Sequence, residues 1–338
     1  MCIRDRSAAA LAGLQPGQRL RVPFGHRELT AYLVKTTEDS DQKQEALKQA
    51  IELLDCENLL PASLAQLCLW AADYYQHPVG EVFSAAFPSA MREGKAHRTL
   101  SEPGWELTTR GKGLPHGALA RSPKQSRALG LLQESPVLSR VALKEEGISA
   151  AILKALEDKG LAQRCEIAAA PGTASSRPGL ALNEEQSAVM ASLRESPEGF
   201  SCHLLEGVTG SGKTEVYLQL IADCLDQGQQ ALVLIPEIGL TPQTLARFSK
   251  RFDASIAVIH SGLSEAQRYR AWEAARDGSA HIVIGTRSAV FTSLAKPGLI
   301  VVDEEHDSSF KQQDGFRYSA RDIAVKRGQL EGCPVLLG

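Results

Sequence analysis

The chain of 338 residues carries a formal net charge of −3, with 43% hydrophobic and 23% charged residues. That balance suits a soluble globular protein of about two or three domains, and it confines any nucleic-acid site to a local patch rather than a bulk basic charge. No apolar run reaches the roughly 20 residues that span a bilayer, no secretory segment opens the chain, and the seven cysteines contain no C-x-x-C pair, which leaves zinc and disulfides unsupported and favours reduced thiols in the cytoplasm.

In chain order, Met1-Cys2-Ile3-Arg4-Asp5-Arg6 matches no start signal, and residues 1–7 read as non-native. Two short alternating runs, 18–22 and 29–34, predict a β-rich opening joined across Phe24-Gly25-His26. A helix is predicted over 63–76, with Leu64, Leu67, Cys68, Ala71 and Tyr75 on one face and Pro78 beyond it. Trp70, Tyr74 and Tyr75 read as core or interface aromatics, with base stacking as the alternative. Helical patterns from Ser122-Pro123-Lys124 onward and over 149–159, with strands near 105–109 and 161–167, suggest a winged-helix module. Such a module binds either DNA or protein. The Ala-, Pro-, Gly- and Ser-rich stretch 168–179 reads as a linker. These boundaries give an opening domain 1–97, a winged helix with its leading linker over 98–167, a linker 168–180 and an α/β lobe 181–338.

The lobe repeats β-α-β-α, so a mostly parallel sheet with helices on both faces is expected. Candidate strands end at Leu205, Ile235, His260, Gly285 and Val302, and each is followed by a polar segment. Right-handed crossovers place all five segments on the carboxyl edge of the sheet, where ligands bind. The first is Gly207-Val208-Thr209-Gly210-Ser211-Gly212-Lys213-Thr214, a G-x-x-x-x-G-K-[ST] phosphate loop between a buried strand, 202–205, and a helix. Its glycines turn backbone N–H groups toward a phosphate. Lys213 is placed for the β- and γ-phosphates of ATP and Thr214 for Mg²⁺. Asp303, after Ile300-Val301-Val302, is the second Mg²⁺ residue, and Glu304 can orient and deprotonate water. His306 suits a link from the nucleotide site to a partner surface. Gln186 either reads an adenine edge or closes a capping box with Asn183. The loop 307–322 interleaves Phe310, Lys311, Phe316, Arg317, Tyr318 and Arg321, a composition that suits stacking on bases while gripping phosphates; plain packing on the sheet is the alternative.

The stretches GVTGSGKTEVYL, LIPEIGLTPQT, HSGLS, IVIGTRSAVF and VVDEEHDSSFKQQDGFRYSARD resemble the primosomal protein N′ family, the PriA-type replication-restart helicases of superfamily 2. RVPFG at 21–25, LWAADYYQHPVG at 69–80 and RSPKQ at 121–125 extend a weaker likeness upstream. The resemblance implies a DNA 3′-end-binding domain, a winged helix and a first RecA-like P-loop lobe of an ATP- and Mg²⁺-dependent 3′-to-5′ DNA helicase, active in replication restart and primosome assembly. It gives Gln186 the adenine-reading position and Arg287 a DNA-backbone segment. Gly25 and Lys48 fall where the family lines its pocket for a nascent 3′ end. Residues 307–322 match the loop that couples DNA binding to hydrolysis. The implied partners are branched forks, single-stranded DNA, primosomal proteins and single-stranded DNA-binding protein, with no membrane.

The family's Phe-Asp-Tyr segment is absent before Leu11, and the sequence stops after Leu336-Leu337-Gly338, where the resemblance places a Ser-Ala-Thr motif next. This polypeptide is therefore expected to be about half of such a protein. It would lack the second lobe and its zinc cysteines, and be inactive alone. The rival readings are a RecG- or Mfd-like duplex translocase, which lacks PEIGLTPQ and KQQDGFRYSARD, and a non-catalytic nucleotide- and DNA-binding protein.

Overall fold

The computed structural model describes residues 3–4, 14–37, 47–55, 57–97, 99, 101–115, 117–119, 122–135, 137–168, 174–196, 199–208 and 210–338. Thr209, most of residues 1–7 and residues 169–173 of the expected linker lie outside them. The backbone forms two units, Met1–Arg98 with Pro171–Gly338, and Thr99–Ala170.

In the first unit a parallel pair joins β1 (Ile3–Arg4) to β4 (Lys48–Gln49). The hairpin of β2 (Arg19–Phe24) and β3 (Arg27–Tyr32) runs in register from Arg19 opposite Tyr32 to Phe24 opposite Arg27. Two residues make its turn, and Gly25 takes φ 60° there, the left-handed value that a primed hairpin turn needs. β5 (Glu52–Leu53) pairs with the other side of β2. Beneath this sheet Arg19 and Asp55 are fully buried as an ion pair. Arg19 Nε donates to both Asp55 carboxylate oxygens at 3.1 and 3.0 Å, and its Nη1 caps the carbonyls of Met91 and Lys95.

Helix α1 (Ala62–Tyr74) starts one residue before the expected 63 and buries Leu64, Leu67, Cys68 and Ala71. It ends where Gln76 takes φ 50°. α2 (Val79–Ala85) and α3 (Ser89–Arg92) follow, each after a proline that ends the preceding segment. The buried face of α1 continues into the core of the α/β lobe, where Leu232, Val283, Ile300 and Ile323 belong to the same cluster. Trp272 Nε1 donates to Ala86 O at 2.9 Å, and Ser293 Oγ to Leu59 O at 3.1 Å, so segments far apart in sequence form one body.

The second unit is a three-stranded sheet in the order β7 (Val137–Ser139), β6 (Ser101–Leu107), β8 (Ala162–Ala168). The two strands expected near 105–109 and 161–167 are β6 and β8, and β6, from before the helices, pairs along its whole length with β8. α4 (Thr109–Lys112), α5 (Pro123–Glu134), α6 (Arg140–Glu145) and α7 (Ala150–Asp158) lie between them. Trp105, Leu129, Leu132, Leu153 and Leu156 fill the core.

Beyond β9 (Ser175–Ser176) and α8 (Glu184–Arg194), the lobe is a six-stranded sheet. Its parallel strands are β10 (Cys202–Leu204), β11 (Gln230–Leu234), β13 (Ile256–Ile259), β14 (Ile282–Gly285), β15 (Pro297–Val302) and β16 (Val335–Leu337), in the spatial order β10-β16-β15-β11-β14-β13. Helices α9 (Lys213–Asp226), α10 (Pro242–Arg251), α11 (Glu265–Asp277) and α12 (Ala320–Glu331) make the crossovers, and β12 (Phe252–Asp253) pairs with β9. β11 and β14 are buried throughout, as aliphatic strands covered on both faces should be. One expectation is corrected: the strand before the phosphate loop is not buried. β10 lies at the sheet edge with only β16 beside it, which leaves Leu204 58% exposed.

Among the described residues no helix is long and apolar enough to cross a membrane. Breaking a buried ion pair by removing one partner costs about 3–5 kcal/mol. Asp55→Ala is therefore expected to lower the unfolding free energy of the first unit by about that amount in urea denaturation; a loss below about 1 kcal/mol, the scale of an exposed pair, would show that the pair does not anchor the small domain.

Candidate functional site

The sheet's carboxyl edge opens into a cleft of about 1180 Å³ lined by Gly210, Ser211, Gly212, Lys213, Thr214, Asp303, Glu304 and His306. Two glycines shape the loop after β10. Gly212 takes φ 87°, and a Cβ there would overlap Gln186 Nε2; a Cβ at Gly207 would meet Ser211 Oγ at 2.6 Å. Gly212 is also the N-cap of α9, so the loop's backbone donors and the positive end of the helix dipole face one point. Lys213 opens that helix, and its Nζ donates to Gly207 O at 3.2 Å.

Of the two readings left open for Gln186, the structure shows the capping one. Its N–H donates to Asn183 Oδ1 at 2.8 Å and its Oε1 accepts from Asn183 N at 3.1 Å, completing a capping box at the start of α8. Its Nε2 donates to Ser211 O at 3.1 Å. The amide is thus engaged once at each end, bracing the phosphate loop, and keeps one N–H and one lone pair for a further partner.

β15 delivers the acidic cluster. Asp303 N donates to Leu234 O at 2.9 Å and Glu305 N to Gly338 O at 2.7 Å, which ties the segment to its neighbouring strands. Glu304 takes φ 50°, a left-handed value outside glycine's domain that costs about 1–3 kcal/mol and concentrates at functional sites. Asp303 is half-buried. Burial foremost, and then the Glu304 carboxylate, push its pKa up, while Tyr217 and the Lys213 ammonium act in the opposite sense. His306 is 73% exposed, with Nε2 at 3.7 Å from Glu304 Oε2. Arg321, read from the sequence as one of the loop's phosphate-gripping cations, instead holds Glu305 at 2.8 Å.

Mg²⁺ is commonly held by one or two carboxylates together with substrate phosphates. A backbone cradle with no room for a Cβ at Gly207 or Gly212, a lysine at its mouth, the Thr214 hydroxyl and a half-buried carboxylate on the same cleft fit Mg²⁺–nucleotide.

The loop after Asp307 corrects the stacking expectation. Phe310, Phe316 and Tyr318 are 2%, 9% and 8% exposed, so their faces are not open to bases. Phe316 packs on His77 at 5.0 Å, Tyr75 at 6.0 Å, Phe291 at 5.9 Å and Tyr318 at 4.8 Å. The cause is strand-like alternation: Lys311 bridges to Ser319, and Gln312 N donates to Tyr318 O at 2.8 Å. That places 316 and 318 inward and Arg317 outward. Lys311 and Arg317 are exposed cations. Arg287, expected on DNA, spends Nη1 on the carbonyls of Ser309 and Lys311, both at 3.1 Å, and so braces this loop. Ser319 N donates to Tyr75 Oη at 3.2 Å. Gly25 sits at the hairpin tip and Lys48 is exposed on β4, with no hydrogen bond or ion pair between them among the described residues.

A parallel sheet with a phosphate loop and an acidic segment on its carboxyl edge, carrying a small β domain and a winged helix, defines the chain as a P-loop helicase lobe with accessory domains. The comparisons agree domain by domain. The chain matches the 3′DNA-binding domain (3′BD) family over residues 6–88, the winged helix of primosomal protein N′-like proteins over 104–164, and the DEAD/DEAH box helicase family over 183–332. It is 42% identical over 339 residues to the replication restart protein PriA of Haemophilus influenzae, covering 96% of this chain and 45% of that protein. Identity to PriA of Bacillus subtilis is 30%, covering 96% of this chain and 49% of the relative. PriA of Synechocystis is 57% identical over 142 residues, covering 42% of this chain and 17% of that one. The chain belongs to the PriA family. It spans about half the length of the first two of these relatives.

Truncating a buried Phe costs about 3–5 kcal/mol, whereas an exposed substitution stays within about 0.5 kcal/mol. Phe316→Ala should therefore destabilise the first unit strongly and Arg317→Ala hardly at all in parallel denaturation curves. Equal stabilities for the two variants would return Phe316 to the surface.

Proposed function

We propose that the chain supplies the nucleotide-binding lobe and two DNA-binding accessory domains of an ATP-dependent 3′-to-5′ DNA helicase. That helicase acts in replication restart and primosome assembly at stalled forks in the cytoplasm. The observation that carries this reading is the placement of Lys213, Thr214, Asp303 and Glu304 on one cleft at the carboxyl edge of the sheet.

In this reading the backbone N–H groups around Gly210, Ser211 and Gly212 hold the phosphates, with Thr209 in the same loop. Lys213 releases Gly207 O to meet the β/γ-phosphate charge. Thr214 and Asp303 hold Mg²⁺, which, when bound, neutralises charge on the phosphate oxygens. Glu304 orients the attacking water and takes its proton, and its strained backbone fixes where the carboxylate points. Gln186 holds the loop in its phosphate-binding shape, and His306 carries the state of Glu304 toward the surface.

DNA enters through the cations of the 307–322 loop. Lys311 and Arg317 contact phosphates, while Phe310, Phe316 and Tyr318 form the buried base on which those cations stand. Arg287 reports loop position to the lobe through the Ser309 and Lys311 carbonyls. The hairpin tip at Gly25 and the exposed Lys48 suit close approach to a nascent 3′ end. Primosomal proteins and single-stranded DNA-binding protein are the protein partners that fit this role.

Two measurements on the whole chain test the proposal. Lys213→Ala should weaken ADP binding at least about tenfold by calorimetry, because it removes the cation facing the phosphates; undiminished affinity ends the nucleotide reading. The double variant Lys311→Ala, Arg317→Ala should weaken single-stranded DNA binding. It should also lower the slope of log affinity against log salt by about 1.4, the value for two lost single-strand phosphate contacts. An unchanged slope would remove this loop from the DNA path.

A further inference from the structure

Tyr217 stands one helical turn after Lys213 on α9. The residue is 2% exposed, and among the described residues its hydroxyl meets no acceptor in full hydrogen-bond geometry. Buried phenols normally find an acceptor. The hydroxyl lies against Gly338, whose missing side chain makes the room: a Cβ there would overlap the oxygen. Gly338 is itself fixed, donating to Val302 O at 2.9 Å and accepting from Glu305 N at 2.7 Å. The phenol is thus wedged beneath the segment that carries Asp303, and both residues line the cleft that holds Lys213. The phenol lies close enough to the Asp303 carboxylate to act on it as a hydrogen-bond donor, although the present placement falls short of full hydrogen-bond geometry.

We propose that Tyr217 is a positioning residue for the Mg²⁺ ligand: its hydroxyl donates a hydrogen bond to the Asp303 carboxylate and sets the direction in which that carboxylate points. The inference rests on the nucleotide reading above and adds a donor that the motifs do not contain. Asp303 loses solvent on entering this cleft, and burial disfavours its charged form. A ligating carboxylate in that setting needs a donor behind it to set its orientation and hold its charge. Tyr217 offers a buried O–H with no competing acceptor, already confined by Gly338 to the right neighbourhood.

A purely structural Tyr217 makes a different forecast. Removing an unsatisfied buried hydroxyl leaves stability unchanged or improves it, and nothing else should change. Tyr217→Phe in the whole chain separates the two. Binding of N-methylanthraniloyl-ADP is followed by fluorescence at increasing free Mg²⁺, and the thermal midpoint is measured without nucleotide. We expect the Mg²⁺ concentration for half-maximal binding to rise about tenfold, the usual effect of losing a group that supports a metal ligand. The thermal midpoint should stay level or rise. In an Asp303→Asn background, adding Tyr217→Phe should change the Mg²⁺ dependence no further, because the charged acceptor is gone.

An unshifted Mg²⁺ midpoint in Tyr217→Phe, with Lys213→Ala still losing nucleotide, overturns the positioning role and leaves the nucleotide reading standing. Weaker binding at every Mg²⁺ concentration together with a lowered thermal midpoint also overturns it, in favour of packing. Full nucleotide binding by Lys213→Ala would instead remove the site on which the inference depends.

Discussion

Everything on the working edge of this lobe depends on one left-handed residue. Gly212 turns the chain from the edge strand into helix α9 at φ 87°, with the Gln186 amide occupying the space a side chain would need. That packing fixes the direction of the loop's N–H groups and the starting point of Lys213. The helix N-terminus adds its positive end at the same place. A substitution at 212 would meet backbone strain and a clash together, and the two costs could not be relieved by one movement. The capping box of α8 is drawn in as well, because the residue that closes it also holds Ser211 O.

The acidic segment is the second fixed point. Glu304 is held in a backbone conformation that ordinary residues avoid, and the bonds that hold it come from β11 and from Gly338 beyond β16. Four residues later the chain enters a turn whose carbonyls are gripped by Arg287, and then the buried aromatic pair Phe316 and Tyr318. These aromatics rest on Tyr75 and His77 just beyond helix α1. The small N-terminal domain, the loop and the acidic segment therefore form one packed chain of contacts. In such an arrangement an aromatic residue transmits position by filling space, and the exposed cations beside it meet the ligand.

Much of the architecture was legible in the sequence because it is written locally. Aliphatic runs bounded by polar segments located the parallel strands to within a residue at Leu204, Leu234, Ile259, Gly285 and Val302. The phosphate loop announced itself by spacing. What stayed hidden was set by partners distant in sequence. The edge position of β10 follows from β16 slipping between it and β15, and no pattern within 202–205 records that. The shared core of α1 and α12 joins residues about 250 positions apart, so it leaves no periodicity to read. Phe316 and Tyr318 were counted as aromatics in a polar loop, although their spacing of two was the available sign of an inward face. Tyr217 was passed over because a tyrosine on an apolar helix face looks like core until its hydroxyl is seen to stand beside the acidic segment.

The central claim is that two separate segments, the glycine loop and the acidic turn, form one nucleotide site. Hydrogen–deuterium exchange of the unmodified chain, with and without saturating Mg²⁺–ADP, tests it most directly because it reads both segments in one experiment. The account predicts slower exchange in peptides covering 206–214 and 303–306 together, while the hairpin of β2 and β3 is unchanged. Protection of the glycine loop without the acidic turn, or of neither, would contradict it.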